Sequence, residues 1–141
     1  MTTLEPQNGS IPLPNPTVIS RPFWDGCQRE ELLFQRCGAC GAATWSPAVM
    51  CSNCHSDDLH WEQSKGEGEV YSWTVVWRPQ QPAFLVPYAP AIVQLDERYW
   101  LMSAVVGCEP EELRVDLPLR VEFHPANDDI TLPYFRPVEN H

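Results

Sequence analysis

The chain has 141 residues, 43% of them hydrophobic, which is enough to bury one core of ordinary size with a small metal-stapled module beside it. Nine basic residues against 19 acidic ones give a formal net charge of −10, and this charge argues against nucleic acid as a partner. The sequence contains no apolar run of about 18 residues and no leader with a basic and an apolar part, so we expect no membrane association and a cytoplasmic location.

The start of the chain is rich in proline and predicts an extended or disordered arm over residues 1–20. Few large apolar side chains stand among its prolines and small polar residues, a composition that favours an extended backbone. The next segment, residues 21–36, predicts a helix followed by a lead-in strand. Proline suits the first helical turn, so we place the helix at about residues 22–31, although Gly26 weakens it, and the strand at residues 33–36.

Two C-x-x-C pairs separated by ten residues predict a zinc ribbon over residues 37–65. In a reducing compartment such pairs bind a metal or do redox chemistry more often than they form disulfides. A redox site would need one pair at a helix N-terminus in a βαβ setting, which this sequence does not supply. Four thiolates complete the tetrahedral shell of zinc and leave no position for a catalytic water, so the predicted site is structural. The predicted ligands are Cys37, Cys40, Cys51 and Cys54.

The residues beside these pairs leave one question open. Gly41 follows the first pair and suits a turn with φ > 0, whereas His55 takes the equivalent place after the second pair. We favour a solvated or second-layer histidine at this position, and a competing metal ligand is the alternative. Cys27 and Cys108 lie outside the pattern and are expected to be small buried side chains.

The remaining segment, residues 66–141, predicts a five-stranded barrel with a C-terminal tail. Alternating apolar residues bounded by turn residues mark the strands. We place them at residues 70–77, 91–95, 100–106, 119–123 and 132–135. A proline followed by two glutamates predicts a short helix at residues 109–113, between the third and fourth strands. This order is that of an OB-fold, and a small sandwich is the main alternative. The predicted fold class is mainly β: an N-terminal helix, a rubredoxin-like zinc ribbon and a five-stranded antiparallel OB-fold barrel.

Two segments rich in proline and aromatic residues, 78–90 and 132–137, are costly to leave exposed. Prolines restrict the free chain and lower the ordering cost of binding, and large rigid side chains tend to dominate interface energy. We therefore expect a protein-docking surface here, and for the first segment a lid packed on the barrel is an equal alternative. The candidate docking residues are Phe84, Tyr88, Tyr134 and Phe135.

Four short segments occur in a specific order along the chain. They are FWDG (23–26), QRCGACG (35–41), GEVYSWTVV (68–76) and VGCEP (106–110). With these segments, residues 20–138 resemble the acyl-CoA-associated zinc-ribbon/OB-fold family, long catalogued as a domain of unknown function. The sequence departs from the family at His55 and Asp116, where glycine is usual or frequent, and neither residue is a predicted metal ligand.

The resemblance implies a non-catalytic accessory subunit that forms a hetero-oligomer with a thiolase-like enzyme. Partners of family members look like thiolases, acyltransferases and the aldolases that shorten steroid side chains held as CoA thioesters, so an acyl-CoA thioester at the shared interface is also implied. The sequence is consistent with this role, because no Ser-His-Asp or Cys-His set and no phosphate-binding glycine loop is evident. The alternatives are a free-standing acyl-CoA or lipid-binding module and an OB protein for single-stranded nucleic acid.

Overall fold

The computed structural model describes residues 2–8 and 10–138, and its first regular element is a short α-helix. Eight β-strands and one 3-10 helix follow within these residues. In chain order the elements are α1 (Arg21–Gln28), β1 (Leu33–Cys37), β2 (Ala43–Thr44), β3 (Leu59–Gln63), β4 (Glu67–Trp73), β5 (Ala89–Leu95), β6 (Trp100–Val105), the 3-10 helix (Pro110–Glu112), β7 (Pro118–Pro125) and β8 (Thr131–Pro137). The predicted fold class is confirmed, since a helix, a ribbon and a closed five-stranded barrel follow one another.

Helix α1 packs closely on the strand that follows it. A Cβ at Gly26 would lie 2.8 Å from Leu33 and 2.9 Å from the carbonyl oxygen of Glu31, so glycine permits this close approach. The helix ends at Gln28, earlier than predicted, because the chain turns back over the next residues. Glu30 takes a positive φ of 60°, and the backbone N–H of Glu31 donates to the carbonyl of Gly26.

The ribbon is a three-stranded antiparallel sheet in the order β2-β1-β3. Strand β1 lies in the centre and runs into the first cysteine pair, as the sequence predicts. Strand β3 pairs along the whole of β1, from Leu33 opposite Gln63 to Cys37 opposite Leu59. This pairing returns the chain from the second cysteine pair to the barrel.

The barrel closes in the order β4-β5-β6-β8-β7, with β7 hydrogen-bonded to β4. Four of its five pairings are antiparallel, whereas β6 and β8 run parallel and pair at Val105 with Phe135. The all-antiparallel barrel expected from the sequence is therefore corrected in one detail. The reason is geometric: strand direction cannot alternate around a closed ring of five strands, so at least one pair must be parallel.

The predicted barrel strands are present, and the first of them is displaced. Strand β4 begins at Glu67 and ends at Trp73, where residues 70–77 were expected. A register shift between Val70 and Ser72 interrupts the predicted alternation, and Val76 makes only an isolated bridge to Tyr88. A 3-10 helix occupies the place of the predicted short helix.

The hydrophobic core joins the barrel to the helix, to β1 and to the N-terminal arm. The arm is extended in its described part, as expected, but Leu4 is 1% exposed and belongs to this core. Its backbone N–H donates to the carbonyl of Cys108 at 2.7 Å, and its own carbonyl accepts from the N–H of Gly107 at 2.8 Å. None of the helices in the described residues is long and apolar enough to cross a membrane.

Candidate metal centre and proline-rich loop

The four predicted ligands converge at one point of the ribbon. Their sulfur atoms all lie within 4.8 Å of one another, with Cys37 3.6 Å from Cys54 and Cys40 3.7 Å from Cys51. A tetrahedral zinc ion with Zn–S distances of about 2.3 Å would place its sulfurs about 3.8 Å apart. The donor set and its spacing are therefore suited to binding zinc.

The two cysteine pairs adopt nearly the same backbone turn. In the first, the N–H of Gly41 donates to the carbonyl of Cys37, and in the second the N–H of His55 donates to the carbonyl of Cys51, both at 2.9 Å. The residue that closes each turn has a positive φ, 82° for Gly41 and 64° for His55. Each turn can thus present two sulfurs to one ion.

His55 occupies a position that favours glycine and lies exposed beside the second pair. Its left-handed backbone carries a small conformational cost, which glycine would avoid. Among the described residues, the group able to hold a metal consists of the four cysteines alone, without this histidine. The geometry therefore gives His55 a place in the turn that closes the second cysteine pair.

Hydrogen bonds from Asn53 reach two of the sulfurs. Its backbone N–H donates to Cys51 Sγ, and its side-chain amide donates across the site to Cys40 Sγ, both at 3.4 Å. The Asn53 amide is the largest of the effects that lower the pKa of Cys40 from 9.0 to about 6. Backbone hydrogen bonding, chiefly at Cys40, lowers the pKa of Cys37. Both effects favour the thiolate form that a metal requires. The pKa of Cys54 is instead raised to about 12, because a backbone hydrogen bond at Ser56 that lowers it is outweighed by hydrogen bonding to the other sulfurs and by burial.

The loop between the two pairs is held by a buried glutamine. The Gln35 side chain, 5% exposed, donates to the carbonyl of Ala48 at 3.1 Å and accepts from the N–H of Ala48 at 2.9 Å. Arg36 adds a bond to the carbonyl of Gly41 at 2.9 Å and an ion pair with Glu62 at 2.9 Å. Strand β1 therefore leads into the first cysteine pair and also anchors the loop between the two pairs.

These features define what the centre can do chemically. Four thiolates fill the coordination shell of zinc, so the ion would have no open position at which to activate water. Its contribution is to fix the ribbon, as the sequence predicts for a structural site. Cys27 and Cys108 lie apart from it and are buried, which raises their pKa values to about 12 and about 11.

The proline-rich loop, residues 78–90, is folded back on itself. A two-way backbone bridge between Val76 and Tyr88 closes its base, and the rings of Phe84 and Tyr88 stack with centroids 5.7 Å apart. The N-terminal arm holds its tip, because the Gln7 side chain exchanges two hydrogen bonds with the backbone of Leu85, at 2.8 and 3.0 Å. The loop is thus held by contacts within the chain itself.

A cavity of about 240 Å³ lies beneath this loop. It opens between the arm, the loop and strands β6 and β8, where the parallel pairing of the barrel is short. Its apolar lining includes Ile11, Phe84, Tyr88, Met102, Val105 and Leu132.

The four candidate docking residues occupy different environments. Phe84 and Tyr88 are half-buried and line the cavity, whereas Tyr134 is buried and its hydroxyl accepts a hydrogen bond from the N–H of Gln7 at 3.1 Å. Phe135 is fully buried in the barrel core, because the alternation of β8 directs it inward. A partner cannot contact the Phe135 ring directly, so this residue has a structural role in the isolated chain.

Sequence reasoning did not single out the side chains that the loop exposes. Leu85 and Val86 are 41 and 38% exposed. Both residues belong to the proline-rich loop. The composition of this loop predicts a docking surface or a lid, but it does not show which side chains face outward.

The fold and the site together define a zinc-ribbon/OB-fold protein. The family model described as "ChsH2, rubredoxin-like zinc ribbon domain" matches residues 24–60, and the model described as "ChsH2, C-terminal OB-fold domain" matches residues 61–124. The chain belongs to the DUF35 family, in which these two domains follow one another.

Three similar proteins illustrate the range of the family. A chain of the solved "Ltp2-ChsH2(DUF35) aldolase" is 32% identical with a TM-score of 0.81, over 89% of this chain and 98% of that one. A "DUF35 domain-containing scaffold protein" of Methanocaldococcus jannaschii is 30% identical over 80% of this chain and 86% of its own. A "Probable enoyl-CoA hydratase alpha subunit" of Thermomonospora curvata is 34% identical over 89% of this chain, which spans only 40% of that subunit.

Proposed function

We propose that this chain is a non-catalytic, zinc-containing accessory subunit that docks on a thiolase-like enzyme acting on acyl-CoA thioesters and stabilises or completes it. The observation that carries the proposal is the likeness, over 98% of the other chain, to a DUF35 chain of an aldolase complex. A likeness of 30% to a scaffold protein of similar length also supports a non-catalytic role. The enzyme would be an aldolase, thiolase or acyltransferase, with degradation of steroid or other lipid side chains as the expected setting.

The metal centre supports an accessory role. A closed shell of four thiolates stabilises the ribbon but offers no site for substrate activation. Two histidines lie beside carboxylates two residues away, His60 2.7 Å from Asp58 and His124 2.5 Å from Glu122, so each ring has a local polar partner. The proposed complex works in the cytoplasm, where free thiols are kept reduced for metal binding.

The proline-rich loop is the surface that we propose for docking. It presents Leu85 and Val86 to solvent, and the rings of Phe84 and Tyr88 stack on each other within the same loop. Its hydrogen bonds to Gln7 fix its shape in advance, so binding would cost less conformational entropy than the ordering of a free loop. With a net charge of −10, the chain is expected to favour a partner face that carries basic residues.

Purification of the full chain from its native cell tests the proposal. The expected result is a stable complex of fixed stoichiometry whose second subunit is identified by mass spectrometry as a thiolase-fold enzyme. Recovery of the chain alone, or with a partner of unrelated fold, would contradict it.

Alanine variants at the loop test the docking surface. Phe84→Ala and Tyr88→Ala are expected to weaken affinity for the co-purified partner by roughly thirtyfold each, about 2 kcal/mol, if the anchor is central and desolvated. Val115→Ala is the matched control, since Val115 is an exposed apolar side chain outside the loop. Thermal unfolding of each isolated variant is measured alongside, and lost stability with unchanged affinity would assign the loop to the lid of the barrel instead.

A second function is favoured by one observation, the apolar cavity of about 240 Å³ beneath the loop. A free-standing module that binds acyl-CoA or lipid would use such a cavity for the apolar part of its ligand. Calorimetric titration of the isolated chain with decanoyl-CoA separates the two functions. Micromolar binding without a partner favours the binding module, whereas binding that requires the enzyme subunit favours the accessory role and an acyl-CoA site at the shared interface.

Binding of single-stranded nucleic acid is not expected. Tyr71 and Trp100 do stack on the barrel surface, with centroids 4.9 Å apart and about half of each side chain exposed. Such a pair suits base stacking, but the net charge of −10 repels a phosphate backbone. A fluorescence titration with a labelled oligonucleotide near physiological salt checks this, and micromolar affinity would overturn it.

A further inference from the structure

Asn53 is the residue through which the second cysteine pair reaches the first. Its backbone N–H donates to Cys51 Sγ within its own turn, as tight turns around a metal commonly do. Its side-chain amide donates instead to Cys40 Sγ, which belongs to the opposite turn, at 3.4 Å. One residue thus contacts a sulfur on each side of the site.

The two turns differ at this position. They share their backbone hydrogen bonds and their positive φ, but Ala39 stands in the first turn where Asn53 stands in the second. Alanine has no side-chain donor, so the contact that crosses the site runs in one direction only. The sulfur that accepts this hydrogen bond is that of Cys40, one of the two exposed cysteines of the set.

We infer that Asn53 is a positioning residue for the metal centre, whose amide holds the exposed thiolate of Cys40 in the zinc shell and slows loss of the ion. A donor N–H aimed at a thiolate orients the sulfur and offsets part of its negative charge. Removal of an outer-shell partner of this kind typically lowers metal affinity 10- to 100-fold. The inference concerns zinc retention and does not depend on docking to an enzyme.

Two substitutions in the full-length protein test this role. Asn53→Ala removes the amide, and Asn53→Asp keeps nearly the same shape but replaces the N–H donor by a negative charge. Both are expected to weaken zinc binding 10- to 100-fold, with the aspartate at least as severe, in competition with the chromophoric chelator 4-(2-pyridylazo)resorcinol. Ser52→Ala is the matched control, an exposed neighbour in the same turn with no side-chain hydrogen bond among those of the described residues.

A spectroscopic readout separates positioning of the thiolate from a general loss of structure. In the cobalt-substituted protein, loss of a hydrogen bond to sulfur raises the energy of its lone pair, so the sulfur-to-cobalt charge-transfer band should move to longer wavelength in both Asn53 variants. The band of Ser52→Ala should match that of the parent protein. Unchanged affinity in both Asn53 variants, or weakened affinity without a band shift, would overturn the inference.

Discussion

The ribbon and the barrel are stabilised by different means. Between residues 38 and 63 the only buried side chain is Cys51, itself a predicted metal ligand. The barrel, by contrast, buries apolar side chains from each of its five strands. Apolar burial can therefore hold the barrel and also β1, whose Phe34 belongs to the same core. The ribbon beyond β1 depends mainly on its metal, on a few hydrogen bonds and on the partly buried Trp45 and Trp61. Loss of zinc should therefore destabilise mainly the ribbon, and loss of a core side chain should destabilise mainly the barrel.

The largest expected effect is on the ribbon, through Cys40→Ser. Zinc binding stabilises small zinc domains by about 10–16 kcal/mol, and loss of one thiolate opens the shell. The parent protein is expected to hold one zinc per chain, and the variant almost none. Metal analysis measures the zinc content, and hydrogen exchange should show protection lost in the ribbon but kept in the barrel.

Two results would contradict this separation. Cys108→Ala removes a buried thiol outside the ribbon and should leave zinc content unchanged, so zinc loss in this control would refute the assigned ligand set. Complete unfolding after chelation of zinc would show that the barrel has no independent stability.

The next largest effect is on the barrel, through Phe135→Ala. The ring is fully buried in the core, so its removal should lower the free energy of unfolding by about 3–5 kcal/mol. Zinc content should not change. Denaturant unfolding measures the loss, with the exposed Val115→Ala expected within about 0.5 kcal/mol of the parent. A loss below about 1 kcal/mol would mean that Phe135 is not a core residue and return it to the docking hypothesis.

Two glutamine contacts allow a finer comparison. Gln35 and Gln7 each exchange two hydrogen bonds with the backbone of one loop residue, but Gln35 is buried and Gln7 is only half-buried. The hydrogen bonds to Ala48 are part-buried, whereas those to Leu85 are exposed. A backbone group left unpaired away from water costs about 1–3 kcal/mol, while an accessible one is satisfied by water. Gln35→Ala should thus lower unfolding free energy by about 1–3 kcal/mol, and Gln7→Ala by less than about 1 kcal/mol. Equal losses in denaturant unfolding would contradict this ranking.

The smallest predicted effect concerns the acid stability of the barrel surface. The Arg136 guanidinium and, to a smaller extent, His124 lower the pKa of Glu122 from 4.5 to about 2, against an opposing effect of burial. Because the folded-state pKa is depressed, this carboxylate contributes stability above about pH 4.5 that is lost as the pH falls toward 2. The pair is partly exposed, so the contribution should be below about 1 kcal/mol.

Glu122→Gln checks this pH dependence. The stability difference between the parent protein and the variant should shrink as the pH falls from 4.5 to 2. Zinc release in acid affects both proteins and cancels in the difference. A difference that grows on acidification would mean that the ion pair does not stabilise the folded state.

The sequence predicted those parts of the molecule in which residue type follows a regular spacing along the chain. The four cysteines have a spacing that fits one ion, and the barrel strands alternate apolar and polar residues. Strand β3 went unpredicted because it has little burial to create a pattern, with Leu59 and Trp61 only half-buried. The displaced bounds of β4 follow from the register shift after Val70, which no periodicity signals.

Contacts that join distant parts of the chain were beyond prediction. The burial of Leu4 depends on Gly107 and Cys108, and the outward face of the proline-rich loop depends on the arm that holds it. Asn53 was also missed, because the value of its amide appears only when the two cysteine turns face each other. The inward direction of Phe135 follows from strand alternation, but only once the core side of β8 is known.

The insertion of Leu4 into the core has a consequence for folding during synthesis. This residue leaves the ribosome over a hundred residues before Gly107 and Cys108, the backbone partners that fix it. At about 5–20 residues per second, the arm must wait roughly 5–20 s in an unpaired state. Its prolines and small polar residues, with few apolar groups, reduce its tendency to associate with other nascent chains in that interval.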